Sequence, residues 1–223
     1  MKNILKIMLM MITIFTIAGS AVYAAEIPVS DQDQLITSSD WTEISNLQDE
    51  MKKEEPDATI DYDKALKVYV DCNLIKLQTA DTKKLTSALE SANYVWVIPF
   101  KMEKTYGMFT VAKGLPLSEE AKSVLTKAEQ EEVKNHAGKW MITETAEHTV
   151  EPYYDILLEK REALSDCTRV VLVGSQPGMR QPVALGMDDE TARVWISLGY
   201  QYPVMEKIPE TQNVESGVYS FDS

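Results

Sequence analysis

The chain has 223 residues, 44% of them hydrophobic, with 35 acidic against 22 basic side chains and a formal net charge of −13. That is enough apolar sequence for one domain with a sizeable core. An acidic balance of this size repels nucleic acid and anionic lipid, which argues against both as partners.

Residues 1–24 read as a secretory signal peptide. Lys2 and Lys6 make a basic start, residues 7–17 form an apolar run broken only by threonine, and Val22-Tyr23-Ala24 fits the small-x-small rule for a cut after Ala24. The protein is therefore expected to be secreted or extracytoplasmic. Retention as a membrane anchor is the weaker reading, because the stretch is barely long enough to span and its second half is Gly, Ser and Ala. No cysteine lies near the cut, which removes a bacterial lipid anchor, and no later segment is apolar enough to cross a membrane. Cleavage removes two lysines and no acid, so the mature chain is more acidic still.

Residues 25–39 are polar and read as a flexible leader. Residues 40–54 read as a helix with Trp41, Ile44, Leu47 and Met51 at helical spacing, opened by an Asp40/Glu43 capping box. An acidic connection over 54–63 leads to an alternating strand over 66–74. A helix over 81–92 precedes strands over 94–102 and 105–113. Residues 118–136 read as two short helices, the first capped by Ser118 and the second by a Thr126/Glu129 box, with Gly138 closing the second. Then come a strand over 139–145, a helix over 151–164 with Pro152 in its first turn, and a continuous apolar strand over 168–175. Strands over 182–187 and 192–199 follow, and 203–223 is a polar tail.

This order predicts an α+β fold: one domain over 40–202 with a mixed, mostly antiparallel sheet and helices packed on one face. Strand, helix, strand, strand occurs twice at near-equal offsets. This suggests a tandem repeat with halves 66–138 and 139–202, although the two share little residue identity.

The stretch "VVLVGSQPGMRQPVALG" (170–186) is the place to look for chemistry. It lacks the lysine and hydroxyl of a phosphate loop, and a strand rather than a helix follows. Ser175 follows Gly174 directly, so the G-x-S-x-G spacing of a nucleophile elbow fails. Pro177-Gly178 suits a type II turn, which makes the stretch a hairpin with Ser175, Gln176 and Arg180 at an exposed tip where a binding role is readily placed.

Other chemistry is sparse. The only histidines, His136 and His148, form no zinc pattern. Asp57, Asp61 and Asp63 lack the glycine and terminal glutamate of a calcium loop, and 188–190 reads as a polar turn. Glu144, Glu147 and Glu151 near Trp140 and Tyr153 are the one acidic cluster worth inspecting for glycoside hydrolysis, against a simpler reading as a solvated edge. Trp96, Trp140 and Trp195 fall inside strands and read as core or sheet-face residues. Cys72 and Cys167 are the only cysteines, and export favours a disulfide between them over two buried thiols. No catalytic residue, metal ligand or cofactor is assigned. The reading is an exported, non-catalytic binding or interaction domain for an unknown extracellular protein, peptide or small molecule. The alternative is an exported hydrolase using scattered carboxylates or Ser175.

Overall fold

The computed structural model describes residues 27–148, 151–174, 181–198 and 218–220. Its strands are β1 (Thr59–Ile60), β2 (Leu66–Tyr69), β3 (Tyr94–Lys101), β4 (Tyr106–Lys113), β5 (Trp140–His148), β6 (Arg169–Val173), β7 (Val183–Met187), β8 (Ala192–Ser197) and β9 (Val218–Ser220). They form one sheet in the order β5-β4-β3-β2-β6-β7-β8-β9, with β1 paired to β3 beyond the end of β2. Every pairing is antiparallel except β2 with β6, which run parallel with Val68 level with Leu172 and Tyr69 level with Val173. The sheet is thus mixed and mostly antiparallel. It consists of two antiparallel meanders, β2 to β5 and β6 to β9, set side by side at their first strands.

Alternation along the strands aims apolar residues at both faces. On one face, Trp96, Ile98 and Phe100 of β3 meet Phe109 and Val111 of β4. Helices α1 (Trp41–Ile44) and α2 (Gln48–Glu54) bury Ile44 and Met51 against them. Beside that core on the same face, α3 (Leu74–Leu77) and α4 (Thr82–Glu90) bury Leu74, Leu85 and Leu89 against Val171, Val173, Leu185 and Met187. Two further helices, α5 (Glu119–Val124) and α6 (Lys127–His136), connect β4 to β5 and bury no residue. On the opposite face, α7 (Tyr153–Glu159) lays Tyr153 and Leu157 on Leu66, Val68, Val97, Val170 and Leu172. The one-face packing expected of the helices therefore describes α1 to α4, while α7 covers the other side. Central strands buried on both faces leave two apolar surfaces to cover.

In chain order the two stretches read β2-α3-α4-β3-β4 and β5-α7-β6-β7, so the first carries one helix more than the expected strand, helix, strand, strand. The sheet groups its strands otherwise: β5 completes the first meander, and β6 opens the second. Gly107 faces Phe100 across the β3–β4 ladder, and a Cβ there would stand 2.1 Å from the Phe100 ring. The ring occupies the space that a side chain would need.

Three further expectations change. Cys72 and Cys167 are buried but not joined. Because β2 and β6 run parallel, Cys72 follows the C-terminal end of the pair and Cys167 precedes its N-terminal end. The length of β6 alone separates those ends by about 13 Å, against a Cα separation of about 4.4–6.8 Å in a disulfide. Residues 27–39 are no loose leader, since Ile27, Asp33 and Leu35 are all buried. Within the polar tail, Val218–Ser220 pairs with β8 as the last strand of the sheet.

Candidate functional site

Residues 27–40 form a strap that threads the sheet. Ile27 and Val29 pack with the α7 core, and Val29 bridges Val170, whose N–H donates to the Pro28 carbonyl at 2.7 Å. A 3-10 turn over Asp31–Asp33 follows. Gln34 then bridges Leu66, the Leu35 N–H donates to the Ala65 carbonyl at 3.2 Å, and Leu35 enters the α1–α2 core on the other face. The strap passes through the gap at the N-terminal ends of β2 and β6, where their short ladder does not reach.

Asp33 sits in that gap, 2% exposed. Its Oδ1 accepts from the Tyr69 hydroxyl at 2.7 Å and lies 3.9 Å from Lys67 Nζ. Its Oδ2 accepts from the Ser30 hydroxyl at 2.6 Å and from Arg169 Nη2 at 2.9 Å. Lys67 points to the same face as Tyr69, Tyr94 and Trp96, and its ammonium lies 5.8, 4.5 and 5.2 Å from their ring centres. Asp40, at the end of the strap, accepts from the Tyr94 hydroxyl at 2.9 Å and from Trp96 Nε1 at 3.0 Å. Two carboxylates and two cations thus balance within one buried cluster, at the seam between the two cores on that face.

Burial sets the titration of this cluster. Desolvation lowers the pKa of Lys67 from its usual value, with Asp33 and Asp40 opposing the shift. Burial, reinforced by the hydrogen bond to Asp33, raises the Tyr69 pKa well above the phenol range, and burial with Asp40 does the same to Tyr94. Neutral phenols are the donors that these carboxylates require. Among the described residues, Arg169 Nε is buried without a hydrogen-bond partner.

The second feature is an open groove of about 540 Å³ lined by Ile36, Trp41, Thr59, Ile60, Asp61, Tyr62, Asp63 and Lys101. Trp41 meets Tyr62 edge-on, with ring centres 5.2 Å apart. Asp63 and Lys101 are exposed beside these half-buried rings, and 37% of Ile36 is open to solvent. Asp61 lies 3.7 Å from Lys64, which donates to Asp155 at 2.8 Å.

Ser175, Gln176 and Arg180 lie outside the described residues. Glu144, Glu147 and Glu151 are exposed, the first two on β5 at the end of the sheet, where charge discourages strand pairing. Asp188 accepts from the Glu190 and Thr191 amides at 2.8 and 2.7 Å, which makes 188–191 a side-chain-closed turn and holds its carboxyl below the usual range. Trp96 and Trp140 are buried, and Trp195 is half-buried. Burial pushes both thiols upward, Cys167 with added repulsion from Asp166 and Asp188.

The cluster is invisible to periodicity. Lys67 occupies a polar place in the alternation of "LKVYV", which reads as a solvent side, and Asp33 lies in sequence too polar to suggest burial. The available signal is that the polar face of β2 carries Tyr69 beside Lys67, and that Arg169 opens an otherwise apolar central strand. No protein-family model, curated protein or solved structure matches the chain. Among the described residues, no helix is long and apolar enough to cross a membrane.

Proposed function

We propose that the chain is an exported, non-catalytic binding domain whose groove at Trp41 and Tyr62 receives a peptide segment bearing apolar and basic side chains. The observation that carries this is the groove itself: partly open aromatic and aliphatic surface flanked by Asp61, Asp63 and Lys101, with acids outnumbering the base. Partly open rings give contact area at low entropic cost, and nearby carboxylates favour cationic partners. The net charge of −13 draws such partners at long range. Ser175, Gln176 and Arg180 belong to the proposal as a second contact. The hydrolase alternative would draw on inward carboxylates, but Asp33 and Asp40 are engaged by phenols, an indole and cations.

The test is capture from the native extracellular fraction with the chain lacking residues 1–24, followed by titration of the captured segment. Asp63→Lys and Ile36→Glu, both at exposed positions, should weaken binding at least tenfold without moving the melting temperature. Unchanged affinity in both variants removes the groove from the reading. Turnover of generic ester or glycoside substrates without a specific partner supports the hydrolase instead. Amino-terminal sequencing of the exported protein should begin at Ala25.

A further inference from the structure

The Asp33 carboxylate occupies the place of a ligand. Of the four groups aimed at it, only Ser30 is local; Tyr69 and Lys67 come from β2 and Arg169 from β6. The sheet alone therefore carries a receptor: two cations and a phenol at the gap between parallel strands, with aromatic rings around Lys67. Each carboxylate oxygen is met by its own neutral donor and its own cation, Tyr69 and Lys67 at Oδ1, Ser30 and Arg169 at Oδ2. That pairing suits a planar carboxylate better than a spherical halide. The buried Arg169 Nε adds unused donor capacity beside it. Between its two β-bridges, at Val29 and Gln34, the strap is a turn, so Asp33 enters the gap on a loop.

We propose that the gap between β2 and β6 is a carboxylate-binding site, filled in cis by Asp33, with residues 27–40 as its lid. Once the Asp33 side chain is removed, the site takes a small monocarboxylate from solution. Asp33→Gly removes one acetate's worth of atoms, so acetate and formate are the probes. Of the groove residues only Ile36 lies in the strap, so Asp63→Lys is the groove variant that leaves the outcome unchanged.

The experiment uses the full exported chain carrying Asp33→Gly, melted and refolded in sodium formate, sodium acetate or sodium chloride at equal ionic strength. Ligand that binds only the folded state raises the melting temperature with the logarithm of its concentration. A saturable rise in formate or acetate over chloride is expected in Asp33→Gly. It should be absent from the parent chain and from Asp33→Asn, where the site stays filled. Adding Arg169→Met to Asp33→Gly should abolish the rise. Where Asp33→Gly does not fold in chloride, refolding yield becomes the readout, and recovery in formate is expected. Equal behaviour in all three salts, failure to refold in any of them, or the same rise in the parent chain overturns the proposal.

Discussion

Asp33 is the residue on which the local charge balance turns. Removing one member of a buried, hydrogen-bonded ion pair typically costs about 3–5 kcal/mol, because the other charge stays buried and uncompensated. Asp33→Asn should therefore destabilise strongly, because Lys67 and Arg169 lose the carboxylate they share. Lys67→Met should also destabilise, and Asp33→Asn with Lys67→Met should lose less than the two changes summed, by about 0.5–3 kcal/mol of coupling. Urea melts of the four proteins measure this, and strict additivity would show that the 3.9 Å contact is energetically idle. The phenols give a second, pH-dependent signature. Tyr69 and Tyr94 titrate well above their usual 10.0, and burial pushes Tyr153 up to about 12. Above pH 10 the unfolded chain releases protons that these folded phenols keep, so stability present below pH 10 falls as the pH rises through it. Lys67 works in the opposite sense: its lowered pKa penalises the folded state near neutrality, and that penalty fades as the pH approaches 10.5. Melts across pH 8–12 should therefore show stability level or rising to about pH 10 and falling beyond it, with a shallower fall in Tyr94→Phe.

Among the elements, two helix caps of similar chemistry should have unequal consequences. Asp81 caps α4 by accepting from the Lys83 and Lys84 amides, and Leu85 and Leu89 tie that helix to the core. Thr126 caps α6 in a reciprocal box with Glu129, but α6 buries nothing. Loss of either cap costs its helix about 1 kcal/mol. Asp81→Ala should pass that loss to global stability, whereas Thr126→Ala should leave the global transition in place. Hydrogen exchange separates the two: amides of α6 should exchange faster in Thr126→Ala while those of β3 and β6 stay protected. Equal shifts in melting temperature would mean that α6 packs as part of the core. The Ser118 cap, the Thr126/Glu129 box and the broken helix over 118–136 were legible in sequence because caps are local chemistry; the expected Asp40/Glu43 box does not form, since Asp40 makes no cap hydrogen bond and accepts from Tyr94 and Trp96 instead. The packing of α7 on the second face was not legible, since periodicity shows that a helix has an apolar side and not which surface covers it.

Across the whole molecule, the parallel seam between β2 and β6 governs both thiol chemistry and folding. It sets Cys72 and Cys167 at opposite ends of the strand pair, so non-reducing mass spectrometry should find two thiols, and reductant should not change the melting temperature. Both cysteines are buried, with thiol pKa values raised by that burial, and should resist alkylation until the chain unfolds. A recovered Cys72–Cys167 disulfide would contradict this topology. The Asp33–Arg169 bond links groups 136 residues apart, so the cluster closes only when both meanders have met, a long-range step of the kind that slows folding.

By itself, the sequence determined the α+β class, most strands and helices, and the caps of α5 and α6. Each of these follows from residues within a few positions of one another. Tertiary structure alone decided which strands are neighbours, that the strap is buried, and that Asp33 meets Lys67, Tyr69 and Arg169. Those contacts depend on the register between distant strands, and a charged side chain at an alternating position reads the same whether water or another charge faces it.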